Sequence, residues 1–370
     1  MPIFDQGYQH WDGQLSGHGW RWLTVTRQGV RAQMKNRLTR VVLLFALLPA
    51  IGLALTLIAW GLLEQQADFI RPLFAFLRLP RELMEGPKAF RQPIWSAAFH
   101  FFFSFEMFFS MILVMLVGPG LISQDLRFNA IPLYFSRPLR RFDYFLGKLG
   151  VIGFFLALVA IVPAVLAYLL GVLFSLDFSV FKDTWRLLAA SIGYGLVIVL
   201  SAGTLMLALS SLSRNSRYVG LFWVGIWIIS GTVGGVLSGM HEESAEHEAR
   251  RAEFELARLA GQGARKKGFD QNEWMRIQEK ANAARAEAAR SNWRPLFSYT
   301  DNLHRMRAAF FDTHSSFVLL GKVGGRNNRE LADQLVPQYP WYWSAGVLAG
   351  LFGISIWILT TRVKSLDRLK

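Results

Sequence analysis

The chain has 370 residues, 52% of them hydrophobic and 18% charged, with 30 Phe and no Cys. Soluble domains are about 45–50% apolar and about 25% charged, so this balance belongs to a membrane protein; the missing Cys excludes disulfides, thiolate metal sites and cysteine catalysis. A net charge of +14 would point to nucleic acid in a soluble protein. Here the basic residues crowd the ends of apolar runs, where anionic lipid headgroups and the positive-inside bias account for them, so nucleic acid is set aside as a partner.

Residues 1–40 read as a basic arm without a signal-peptide core. Arg27, Arg31 and Lys35 recur every four residues, and Trp20, Trp22, Leu23, Val30, Met34 and Leu38 supply an imperfect apolar face, which predicts a surface-lying helix feeding the first span. Six apolar runs are long enough to cross about 30 Å of hydrocarbon. They fall at 41–63, 94–122, 149–174, 187–209, 219–240 and 341–359. The fold class is therefore all-α and integral to the membrane. Its parts are the arm at 1–40, five spans within 41–240 with a polar loop at 123–148, a helical insert at 241–340, and the sixth span with its basic tail at 341–370.

Within the insert, a charged hairpin is expected: a helix over 242–260, the turn GQGARKKG, then Asp270 as N-cap with Glu273 three residues on, opening a helix to about Arg290. Leu303, Met306 and Phe310 follow at helical spacing, an apolar face suited to resting on the membrane. The arm, the loop 123–148, the SSLSRNSRY turn and the tail are all basic and, with six spans, lie on one side. The positive-inside bias makes that side cytoplasmic and sends the insert outward.

Signs of chemistry within the chain are few. Gly147-Lys148 is followed by Leu149, and Phe142 stands where a phosphate-cradling loop needs Gly, so the chain is not expected to hydrolyse ATP alone. The spacing of His241 and His247 fits no ligand pattern, and no metal site or catalytic residue is assigned. Glu106 lies among phenylalanines inside the second span, where an ionised carboxylate costs a few kcal/mol; it is a candidate for a substrate path, with a hydrogen-bonded packing role as the alternative. His100 is six residues away, about 600° of turn, and so on another face. Gly231, Gly235 and Gly239 recur every fourth residue, a spacing that lets helix backbones approach within lipid, either in a subunit interface or within one chain.

The loop Ser123 to Gly150 is polar and basic between two runs that cannot leave lipid, which pins it at the membrane surface. Phe128, Ile131 and Phe135 form an apolar stripe on a short helix opened by Ser123 or Asp125 and disturbed at Pro132. Pro138 then suits the first turn of a new helix. Such an element fits a groove on another protein or lies on lipid.

This loop resembles the one between the second and third spans of ABC transporter permeases of the type 2 exporter class. Asp125 takes the acidic position, Arg127 lies in the basic pair, Asn129-Ala130 stand for Gly-Thr, Ile131 and Leu133 match apolar positions, and Pro138, Arg141, Gly147 and Lys148 match the end. Pro132 replaces a usual Glu. The SSLSRNSRY turn and the order of spans resemble that family too. The resemblance implies a permease that pairs, as a homodimer or with a similar subunit, with two copies of a cytoplasmic ATPase that binds the ATP and Mg, so this chain itself binds no cofactor. It also implies that Phe128, Ile131 and Phe135 dock in the ATPase, while Arg137, Arg140 and Arg141 set register or hold headgroups. The function expected is ATP-driven export across a cell membrane. Two alternatives are leverage on an envelope protein without transport, and secondary transport coupled through Glu106.

Overall fold

The computed structural model describes residues 20–68, 70, 72, 76, 80–135, 139–264, 287, 289–323 and 338–363. Among these there are helices and no strand, and six helices are long and apolar enough to span a membrane. α1 (Arg21–Met34) is the arm helix. α2 (Arg37–Glu64) is the first span, opened by Asn36, whose side chain accepts from the Leu38 N–H. α3 (Arg81–Glu85) and a 3-10 turn at Pro87–Phe90 lead into the second span, α4 (Arg91–Val117). α5 (Gly120–Arg127) and α6 (Ile131–Phe135) form the hinge.

The third span joins α7 (Arg141–Leu156) to α8 (Val162–Ser175) through a π-helical turn at Ala157–Ile161. Pro163, which has no N–H to donate and whose ring crowds the carbonyl four residues back, explains that widening. α9 (Ser179–Leu212) is the fourth span, and α10 (Ser216–Ala264) holds the fifth. A 3-10 turn at Arg294–Phe297, α11 (Tyr299–Phe310) and α12 (Thr313–Val323) precede α13 (Trp341–Arg362), the sixth.

Three spans carry the core. The apolar windows of the second, third and fourth are 56%, 44% and 61% buried, whereas those of the first, fifth and sixth are 17%, 17% and 22%. Trp95, Phe99, Phe103 and Met111 of α4 meet Phe155 and Val159 of the third span and Tyr194, Ile198 and Met206 of α9 in one cluster. In lipid the apolar drive between helices vanishes, so this fit rests on dispersion and on the few polar links described below.

Two expectations change. The helix predicted at 242–260 is no separate element, because α10 runs from Ser216 to Ala264 without a break. No Gly or Pro lies between His241 and Ala260 to interrupt it. The second arm at 270–290 lies mostly outside the described residues. Further on, Leu303 and Met306 are buried against the bundle instead of resting beside it. At the corner between α11 and α12, Phe311 stacks on Phe99 and Phe103 at 5.9 and 5.3 Å, and the Ser96 hydroxyl donates to its carbonyl.

Candidate functional site

α5 ends in a left-handed cap. Asn129 has φ 53°, and the Ala130 N–H reaches back to the Asp125 carbonyl at 2.8 Å, the long bond of a Schellman motif. Pro132 then sits in the first turn of α6, where its missing N–H is harmless. The expected stripe is thus split across two helices. Phe128 points out, 71% exposed, with Arg127 over its ring at 5.5 Å. Ile131 and Phe135 turn inward against the core, Phe135 lying 6.0 Å from the Tyr144 ring. The outward apolar residue of α6 is Leu133, also 71% exposed. Arg140 is exposed, and its N–H donates to the Asp143 carboxylate that opens α7; Arg141 is half-buried. Arg137 and Pro138 lie outside the described residues.

Asp125 faces into the protein, not toward a partner. Its Oδ2 is 2.7 Å from Lys148 Nζ and accepts from the Tyr144 hydroxyl at 2.7 Å. Lys148 Nζ also lies 5.4 Å from the Tyr134 and Tyr144 ring centres. This clamp ties the hinge to the third span. Tyr144 and Lys148 sit one turn apart on α7, so their i, i+4 spacing was a signal available in the sequence.

Beside the clamp, α1 crosses α7 at close range. A Cβ on Gly147 would stand 2.7 Å from the Val25 Cβ, and the Thr26 hydroxyl donates to the Gly147 carbonyl at 3.0 Å. The adjoining Gly-Lys pair therefore has two physical jobs: Gly147 admits α1, and Lys148 holds Asp125. Between α1 and α6 a groove of about 570 Å³ is lined by Arg21, Thr24, Val25, Ala130, Leu133, Tyr134 and Leu139. On the other side, the Ser210 hydroxyl of α9 donates to the Pro119 carbonyl and accepts from the N–H groups of Ile122 and Ser123. Nothing in the sequence singled out Ser210.

Glu106 is fully buried, and both its carboxylate oxygens lack a hydrogen-bond partner, as does the Ser110 hydroxyl one turn on. Of the three candidate interface glycines, a Cβ on Gly231 would stand 3.6 Å from the Thr300 hydroxyl, while Gly235 and Gly239 face open space among the described residues. The glycine of that helix that does pack is Gly234, against Ser298.

At the end opposite the hinge, Arg91 is 2% exposed and ties together three helix ends. Its Nε and Nη2 donate to Glu64 at 2.8 and 2.6 Å, and its Nη1 donates to Asp183 at 2.7 Å and to Ser179 at 3.1 Å. Nearby, Asp177 accepts from Ser179 and Lys88, and those bonds hold its carboxyl well below the usual range. Nothing in the sequence pairs these residues, since their partners are far apart in the chain.

Among family models, one described as ABC-2 family transporter protein matches residues 25–316, a stretch that includes most of the arm helix, the hinge and five of the six spans. No curated protein matches the sequence.

Proposed function

The chain belongs to the ABC-2 family of transporter proteins, as a multi-pass permease component of an ABC transporter, and on that premise we propose that it drives export with energy from a separate cytoplasmic ATPase. The observation that carries this reading is the hinge: an outward-facing pair, Phe128 and Leu133, mounted on two short helices that the Asp125–Lys148–Tyr144 clamp fixes to the third span. A force applied to that pair reaches α7 through a buried ion pair instead of through a slack loop. The exposed Arg127 and Arg140 give the surface a positive rim, which steers and registers an acidic cleft.

In this reading the hinge, the arm and the tail are cytoplasmic and the 241–340 insert lies outside the cell membrane. The chain is not itself an enzyme, and ATP and Mg bind the partner. A second copy or a similar permease packs along the fifth span, where Gly235 and Gly239 leave a helix face that no other described residue covers.

The test is purification in mild detergent. Recovery of an ATPase bearing nucleotide-binding motifs, whose turnover rises in the presence of this chain, supports the proposal; a chain that works without any nucleotide-consuming partner overturns it. One observation favours a second outcome for the same motor. α10 continues unbroken for 49 residues, about 73 Å at 1.5 Å per residue, which is the shape of a lever. Reconstituted transport separates the two: cargo movement supports export, and stimulated ATPase without movement supports leverage on an envelope partner.

A further inference from the structure

Far from the hinge, a second polar cluster has no role in the reading above. Arg307 of α11 is 4% exposed, and its Nε and Nη1 have no hydrogen-bond partner. Its Nη2 makes two long contacts, to His100 Nε2 on α4 at 3.5 Å and to His304 Nδ1 at 3.4 Å. Among the described residues no carboxylate forms an ion pair with it. A guanidinium nitrogen can only donate, so the His100 Nε2 beside it serves as the acceptor and the ring proton sits on Nδ1. That Nδ1 is also buried and without a partner. Two buried donors of one guanidinium thus have no acceptor, and a third lies on the far edge of the His100 ring.

Buried cations are ordinarily paired, and an orphan guanidinium is among the costliest groups to keep in a folded chain. Arg is also the side chain best shaped to grip a carboxylate or phosphate. We infer that Arg307, with His100 and His304, is a binding site for an oxyanion, a carboxylate or phosphate group, at the end of the bundle opposite the hinge.

The surroundings say how the site is closed. The α11–α12 corner is seated by Phe311 between Phe99, Phe103 and Tyr194, and Phe317 closes edge-on over the His100 ring at 5.7 Å. Asp312 turns that corner with φ 43°. His304 is exposed, so the cluster lies one side chain below the surface. Lifting the corner uncovers Arg307 and admits the ligand. The inference deepens the export reading by giving the cargo, or a lipid headgroup beside it, a negative charge.

The test needs neither nucleotide nor transport, so it fails separately from that reading. The full chain in neutral detergent is melted with increasing inorganic phosphate, acetate or dihexanoyl phosphatidylglycerol, each against sodium chloride at matched ionic strength. The expected result is a saturable rise in Tm with at least one of these, about tenfold weaker in Arg307→Lys and absent in Arg307→Met. Without added anion, Arg307→Met is expected to melt no lower than the parent, because it removes an unpaired charge. A response to phosphate or acetate marks a soluble oxyanion, and a response to the phosphatidylglycerol alone marks a lipid headgroup; both support the site. No response in the parent, or an equal response in Arg307→Met, overturns it. Should Arg307→Met not fold, His100→Leu removes both the Nε2 contact to Arg307 and the Nδ1 donor, and an undiminished anion response in that variant together with Arg307→Lys has the same force.

Discussion

Replacing Lys148 by Met keeps the length of the side chain and removes its charge from a clamp in which it is 10% exposed and Asp125 15%. Breaking one side of a buried ion pair costs about 3–5 kcal/mol, much of it the penalty of leaving the other charge unpaired. Asp125 keeps the Tyr144 hydroxyl at 2.7 Å, which argues for the lower end, about 3 kcal/mol. At about 1.4 kcal/mol per tenfold, the population with the hinge detached from α7 rises on the order of a hundredfold. Amide hydrogen exchange across α5 and α6 reads this directly, and the partner ATPase should lose most of its stimulation while the spans stay folded. Asp125→Asn in the same background should recover much of the loss, giving a coupling of about 1–3 kcal/mol in a double-mutant cycle. Additive single effects, with unchanged exchange at the hinge, would refute the clamp.

Phe128→Asp places a charge on an outward-facing ring and should abolish ATPase stimulation without affecting membrane insertion, measured on the purified complex; unchanged stimulation counts against docking there. Gly147→Val drives a branched side chain into Val25, and overpacking of about 1–3 kcal/mol should release α1, seen as new protease cleavage within Arg21–Met34. Arg91→Met strands Glu64, which is 2% exposed at its side chain, and should lower thermal stability by about 3–5 kcal/mol, with Glu64→Gln in the same chain recovering part of it. Glu106→Gln removes no hydrogen bond, so the assembled complex should persist while transport changes; loss of assembly alone assigns the residue to packing.

How far the sequence reaches depends on the distance between the groups involved. The six spans, the amphipathic arm and the basic hinge all follow from runs of fewer than forty neighbouring residues, because hydrocarbon thickness and helical rise act locally along the chain. The arm helix Arg21–Met34 appears where hydropathy predicts a helix, whereas the hinge breaks at Asn129, ahead of the Pro132 expected to disturb it. Register within the hinge was not legible. A single stripe through Phe128, Ile131 and Phe135 assumes one continuous helix, and the left-handed Asn129 rotates α6 so that Leu133 faces out in place of Ile131.

The sequence alone determined that this chain crosses a membrane six times and offers a surface element between its second and third spans. Which polar residues serve whom was decided only by tertiary structure: Asp125 turned inward to Lys148, Arg91 gathered Glu64 and Asp183, and Arg307 came to rest against His100 from 207 residues away. The reason is physical. Apolar segments need only lipid, which every span meets independently, whereas a charge in the bundle must find one complementary group, and the chain order does not say which helix brings it.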